Sequence, residues 1–201
     1  MTRLLPGILA MAAVVVASNI LVQFLLGDWL TWGAFTYPVA FLVTDVTNRV
    51  YGPAAARRVV VSGFVIGVVC SLIAAGLDKT TLRIALASGS AFLVAQMLDV
   101  TIFDRLRSAP RWWRAPLSST LIGSAVDTVL FFTIAFSAYL PSDANTGWAN
   151  EGVPLLGQGV VLPLWVSLAS ADWLVKLSLA LLSLVPFRYA VNYLLSGPRE
   201  I

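Results

Sequence analysis

Short polar breaks divide the chain into apolar runs, each about as long as a bilayer is thick, and this constrains the fold more than any other feature. The runs fall at Leu5–Leu26, Leu30–Val46, Val59–Leu77, Ile84–Phe103, Leu117–Tyr139 and Val160–Pro186. A helix crossing the hydrocarbon core takes about 20 residues. Backbone in lipid must satisfy its own hydrogen bonds, so an isolated apolar run of that length reads as helix. Composition agrees: 59% of the 201 residues are apolar and 11% are charged, against about 25% charged in a soluble domain. The expected fold is an all-α integral membrane protein, residues 1–201 forming one domain of six transmembrane helices.

Arginine and lysine set the expected orientation. With the N-terminus inside, the cytoplasmic segments hold Arg3, Arg49, Arg57, Arg58, Arg105, Arg107, Arg111, Arg114, Arg188 and Arg199, and the opposite side holds only Lys79 and Arg83. Short-loop bias of this kind places the basic loops and both termini in the cytoplasm. Trp29, Trp32, Trp112 and Trp113 flank runs where interfacial aromatics belong. The first run reads as a span rather than a cleaved signal, because it is long, carries Asn19 and Gln23, and is followed by no small-residue cleavage pattern. The net charge of +3 is explained by these loops and gives no reason to expect nucleic acid as a partner. Between the last two runs, Pro141, Gly147, Gly152, Pro154 and Gly157 should prevent any long helix.

Histidine is absent and Cys70 is the one cysteine. That excludes Ser-His and Cys-His nucleophiles, imidazole metal sites, thiolate clusters and internal disulfides. No cofactor is expected. Small residues recur every four positions in the third run (Gly63, Gly67, Ser71, Ala75) and the fourth (Ala87, Ala91, Ala95), and read as close helix contacts.

More informative are the residues that lipid should exclude. Asp45, Asp99, Asp127 and Asp172 lie within or beside apolar runs, and an aspartate at the bilayer centre costs about 2.5–3.5 kcal/mol. They must face a polar interior, be paired, or be protonated. Their neighbours favour a shared interior. Thr120, Gly123, Ser124 and Asp127 occupy one helical face, as do Ser88, Gln96 and Asp99. Tyr37, Phe41, Thr44, Asp45 and Asn48 line one side of the second run, Asn19 and Gln23 lie one turn apart in the first, and Trp165, Ala169, Asp172 and Lys176 form a stripe in the last. The reading is a central cavity of amide, carboxylate, hydroxyl and aromatic groups. Each position also has a purely structural explanation. Asp172 and Lys176 at i, i+4 can neutralise each other, Asp99 can pair with Arg105, Asp45 lies near a helix end, and Asn19 and Gln23 can bridge helices. Asp127 has no basic residue within a turn. Pro38 removes a backbone hydrogen bond inside the second run, as in the broken helices of transporters.

Four segments together resemble the queuosine precursor transporter family, also called the putative vitamin uptake transporters. They are Trp32–Gly52 (WGAFTYPVAFLVTDVTNRVYG), Arg83–Arg107 (RIALASGSAFLVAQMLDVTIFDRLR), Arg111–Phe136 (RWWRAPLSSTLIGSAVDTVLFFTIAF) and Ala171–Leu182 (ADWLVKLSLALL). The resemblance runs from about Trp29 to Pro186. It implies a six-helix bacterial inner-membrane protein that imports the 7-deazaguanines preQ0 and preQ1 for queuosine salvage in tRNA. Many members carry Asn-Glu ahead of Tyr-Gly, whereas here Asn48 precedes Arg49, which resembles the enterobacterial type.

The chemistry of such a ligand suits these residues. A 7-deazaguanine presents N1–H beside an exocyclic amine, two parallel donors that one carboxylate can accept. Its O6 needs a donor, which Gln96, Asn19 or Lys176 could supply, and its flat ring needs aromatic faces such as Phe41, Phe92 or Trp165. The ammonium of preQ1 calls for a second carboxylate. The expected binding set is therefore Asp127, Asp99, Gln96, Ser124, Asp45, Asn19, Gln23, Asp172 and Lys176 with those three aromatics. An enzyme is not expected, since no aspartate follows the Gly-x-Gly-Asp signature of intramembrane proteases. No phosphate-binding loop occurs, so energy comes from an ion gradient, an energising partner or intracellular trapping. The alternative is a substrate-binding subunit of an ATP-driven vitamin or nucleobase uptake system. Association into a homo-oligomer is open in either case.

Overall fold

The computed structural model of the chain describes residues 2–140 and 146–196; Pro141 and Arg199 lie outside the described residues. Helix α1 (Leu5–Leu21) is followed by a two-residue antiparallel hairpin, β1 (Leu25–Leu26) with β2 (Leu30–Thr31). Gly27 makes this turn with φ +67°, a conformation that costs glycine little. A short α2 (Gly33–Thr36) leads into α3 (Val39–Tyr51). The long helices then follow: α4 (Pro53–Gly76), α5 (Leu82–Leu106), α6 (Arg114–Phe136) and α7 (Leu164–Ser196). Between α6 and α7 lie two 3-10 turns and a hairpin, β3 (Gly152–Pro154) with β4 (Val161–Pro163). Among the described residues of this stretch there is no α-helix, in keeping with its glycines and prolines.

Helices α4 to α7 are each long and apolar enough to cross a bilayer. The other two apolar runs differ from the sequence expectation. Helix α1 stops at Leu21, giving 17 residues, or about 26 Å at 1.5 Å per residue. The run from Leu30 is not one uniform helix. Pro38 lacks an amide hydrogen, and the chain tightens there, with Ala40 donating to the Tyr37 carbonyl and Phe41 to that of Pro38. The last helix begins at Leu164 and continues through Pro186 to Ser196.

Helix termini are fixed by side chains. The Thr81 hydroxyl accepts from the Ile84 amide at 3.2 Å and caps α5. At the end of α6, Arg83 donates to the carbonyls of Ile134 (2.7 Å) and Ser137 (2.6 Å), and Asn150 to that of Phe136 (2.9 Å). These are among the carbonyls a helix terminus leaves unpaired.

The small-residue stripes are packing surfaces. A Cβ on Gly63 would stand 2.5 Å from Met11 Cγ, and one on Gly67 3.2 Å from Val15 Cγ1, so α1 lies directly on α4. Helices α5 and α6 approach as closely: a Cβ on Gly123 would meet Phe41 Cε1 at 2.9 Å and the Ala95 carbonyl at 3.4 Å. Three apolar clusters fill the bundle. One joins α1, α3, α4 and α5 around Met11, Val59 and Val100. Another, around Phe132 and Phe136, lies toward one end, and the third, with Phe103 edge-on to Phe187 at 6.0 Å, lies toward the other.

Candidate functional site

The end of the bundle that carries residues 22–31, 79–80 and 148 opens into a cavity of about 620 Å³, within the range of ligand pockets (roughly 300–1,000 Å³). At its floor α6 and α7 bring three ionisable side chains together. Lys176 Nζ lies 2.8 Å from Asp127 Oδ2, 2.5 Å from Asp172 Oδ2 and 3.0 Å from the Thr128 hydroxyl. An ammonium has three hydrogens, and these three acceptors use them all. Thr128 passes its own hydrogen to Asp172 Oδ2 at 2.9 Å. Tyr37, from the tightened segment before α3, donates to Asp127 Oδ1 at 3.3 Å, and its ring centroid lies 5.6 Å from Nζ.

Formally, two carboxylates and one ammonium leave the group a charge of −1. Asp127 and Lys176 are 4% exposed at the side chain and Asp172 is 16% exposed, so Asp172 is the member most open to the cavity. The walls are aromatic. Phe131, Phe132 and Phe136 form an edge-to-face series on α6, with Phe131 and Phe132 at 5.0 Å, and Trp148 continues it 5.7 Å from Phe136. Trp29 and Tyr37 line the cavity from other elements.

Asn19 and Gln23 line the cavity on the α1 side. Asn19 donates to the Val15 carbonyl at 2.9 Å and accepts from Ser71 at 3.1 Å, while Gln23 donates to the Asn19 carbonyl at 3.2 Å and is exposed. Five of the twelve residues expected from sequence therefore meet here: Asp127, Asp172, Lys176, Asn19 and Gln23. The i, i+4 pairing of Asp172 with Lys176 is present. Asp127 does not stand alone, because its cation comes from a different helix.

The other seven do not line the cavity. Asp45, Gln96 and Asp99 form a separate, closed polar layer. Ser119 donates to Asp45 Oδ1 at 3.2 Å, Thr120 to Oδ2 at 3.1 Å, and Thr44 to Gln96 Oε1 at 2.6 Å. Ser124 turns back to the Leu121 carbonyl at 3.1 Å. Phe41 is fully buried against Gly123, Phe92 packs on Tyr37 at 5.9 Å, and Trp165 joins the Phe132 cluster. Helical periodicity puts residues on one face but does not say at which depth that face meets an opening, so one stripe serves two layers. The lining residues missed by the sequence reading are mainly Phe131, Phe132, Phe136, Trp148 and Trp29. Phe131 stands one turn from Asp127 and carried the clearest signal.

Comparison with known proteins agrees with the resemblance read in the sequence. Residues 31–191 match the family described as "putative vitamin uptake transporter". The chain is 40% identical over 141 residues to the "queuosine precursor transporter" of Escherichia coli K12, covering 61% of this chain and 64% of that one. It is 34% identical over 171 residues to a "probable queuosine precursor transporter" of Haemophilus influenzae, covering 78% and 66%. A "probable queuosine precursor transporter" of Bacillus subtilis is 28% identical over 190 residues, covering 84% and 74%. The chain thus spans just under two thirds of the length of the first two. No solved structure matches it. With four membrane-length apolar helices and a family match over residues 31–191, the chain belongs to the putative vitamin uptake transporter family of membrane proteins.

Proposed function

We propose that this protein imports 7-deazaguanine precursors of queuosine, preQ0 and preQ1, across the bacterial inner membrane. The observation that carries the reading is the cavity floor. It has a surplus carboxylate charge, an aspartate partly open to the cavity, and aromatic walls on which a flat base can stack. Lys176 has no hydrogen left for a ligand, so its part is to hold Asp127 and Asp172 together and set the charge. The N1–H and amine edge of the base faces the carboxylates, the ring stacks on the α6 aromatics, and the ammonium of preQ1 neutralises the residual charge. Oxygen O6 receives a donor from the Asn19 and Gln23 side.

The topology that goes with this reading has six crossings within a single domain, both ends of the chain in the cytoplasm, and the cavity facing outward. The Arg-rich loops around Arg57, Arg105 and Arg111 then lie inside and Lys79 outside, as the positive-inside bias requires. Importing a base needs no chemistry on it, so no enzymatic role is assigned.

The test is precursor-dependent queuosine formation in tRNA, in a strain that can neither make nor import the precursors. Expression of this chain should restore queuosine when preQ0 or preQ1 is supplied in the medium. Purified protein in liposomes should take up labelled preQ1 without another subunit. Uptake that requires an added ATPase would instead assign it to an ATP-driven system.

A further inference from the structure

Beneath the cavity floor the bundle contains a second polar layer. It is built from Thr44, Asp45 and Asn48 of α3, Gln96 and Asp99 of α5, and Ser119 and Thr120 of α6, all 5% exposed or less. None of them lines the cavity. Four atoms in the layer have no hydrogen-bond partner among the described residues: both carboxylate oxygens of Asp99, the Gln96 side-chain nitrogen and the Asn48 side-chain oxygen. Buried polar groups are normally paired, so four unpaired atoms in one layer require a physical reason.

The neighbours of Asp99 indicate what it is. Its polar companions are Asp45 and Ser119. Ser119 directs its hydroxyl at Asp45 and the Pro116 carbonyl, which leaves one carboxyl beside another. Two carboxylates cannot hydrogen-bond, because both only accept; one added proton converts the contact into a bond. Nor, among the described residues, does a basic side chain enter the layer. Arg49 of α3 donates to the Arg107 carbonyl, and Arg107 of α5 pairs with Asp104. Arg57 and Arg58 of α4, Arg105 of α5 and Arg114 of α6 are exposed, Lys176 of α7 is committed to Asp127 and Asp172, and Arg188 lies over Trp112. Two like charges in a dry interior repel strongly, and charge buried without a partner costs several kcal/mol.

The two unpartnered amide atoms suit both states of a carboxyl that gains and loses a proton. Gln96, one turn before Asp99 but not bonded to it, has an N–H free in the same layer. Asn48, held by its donation to the Val100 carbonyl at 3.0 Å, offers C=O to a carboxylic O–H.

We infer that Asp45 and Asp99 form a shared proton site that couples substrate import to the transmembrane proton gradient. This rests on the transport reading above. With the cavity facing outward, as the proposed topology has it, the pair holds a proton taken from the exterior. Opening of the layer toward the cytoplasm hydrates the pair, and the proton leaves to cytoplasmic water as the base is released.

The experiment uses the purified full chain in liposomes, labelled preQ0 (the uncharged base), and a membrane potential clamped with potassium and valinomycin. An exterior one pH unit more acid than the lumen should drive about tenfold accumulation at one proton per base, because the two gradients balance at equal ratios. In Asp99→Asn the ratio of uptake with the gradient to uptake without it should fall to about one. Asp45→Asn gives the same readout should Asp99→Asn not reach the membrane. A lumenal pH dye should report acidification with preQ0 addition in wild type and none in the variant. Uptake that ignores the pH gradient, or follows a sodium gradient instead, overturns the proposal while leaving transport intact. No uptake under any gradient overturns the transport reading and this proposal with it.

Discussion

Replacing Asp127 with asparagine is the sharpest perturbation of the cavity floor, because the structure separates its effect on folding from its effect on binding. Lys176 would keep Asp172 at 2.5 Å and Thr128 at 3.0 Å, and the asparagine carbonyl could still accept from it. Folding should lose about 1 kcal/mol, the scale of one weakened hydrogen bond. The floor, however, passes from a formal charge of −1 to zero, and one acceptor becomes a donor facing the N–H edge of the base. An unmet donor of this kind costs about 1–3 kcal/mol, or about five- to 150-fold in affinity. Asp172→Asn should behave alike, since Asp127 remains at 2.8 Å from the ammonium. The double variant should not be the sum of the two. It would leave a 4%-exposed ammonium without a carboxylate, and breaking a buried pair in this way costs about 3–5 kcal/mol, a large part of a typical total stability of 5–15 kcal/mol. Adding Lys176→Met to the double variant should restore protein but not uptake. Immunoblots of membranes, melting in detergent and precursor-dependent queuosine formation measure the three quantities. A double variant as abundant as the singles would refute the idea that the three side chains form one unit. Wild-type uptake by Asp127→Asn would remove the floor from the binding surface.

Three further outcomes are expected. Gly123→Val should lower the melting temperature by the equivalent of about 1–3 kcal/mol, because its Cβ would meet fully buried Phe41 of α3 at 2.9 Å; an unchanged melt would show that α3 and α6 can separate at little cost. Arg83→Ala should loosen the end of α6, seen as faster hydrogen exchange at Phe136 and Ser137, since two of the carbonyls held there lose their donor. With Cys70 replaced by serine, a cysteine at exposed Lys79 should label only from outside and one at exposed Ser108 only from the cytoplasm; labelling of both from one side would sink the six-crossing topology.

Sequence alone reached the helical membrane class, the breaks between the runs and the pairing of Asp172 with Lys176, because each follows from local spacing and the cost of polarity in lipid. It also flagged Pro38, where the backbone tightens into three-residue hydrogen-bonded turns. Depth was harder to read. Asp99 and Asp127 look alike on the page, each one turn or so from a small residue inside an apolar run, yet one lies in a closed layer and the other at a cavity floor. That difference is set by how α3 crosses α5 and α6, a long-range choice made by contacts such as Phe41 on Gly123. For the same reason Asp127 seemed to lack a cation: Lys176 is 49 residues away in sequence and one hydrogen bond away in space. The aromatics expected from sequence lie elsewhere because Phe41 and Phe92 sit on polar stripes but fill packing gaps, while Phe131 and Phe136 line the cavity.

The seam between α1 and α4 has a consequence for how the chain is made. Met11 and Val15 await Gly63 and Gly67, and the side-chain oxygen of Asn19 awaits Ser71, 52 residues further along. At synthesis rates of about 5–20 residues per second, α1 is complete for several seconds before its mate emerges. Asn19 spans that interval by donating to the Val15 carbonyl of its own helix, which keeps the amide nitrogen satisfied while the oxygen alone remains open. Asn19 is thereby half-shielded within its own helix until Ser71 of α4 reaches its open oxygen.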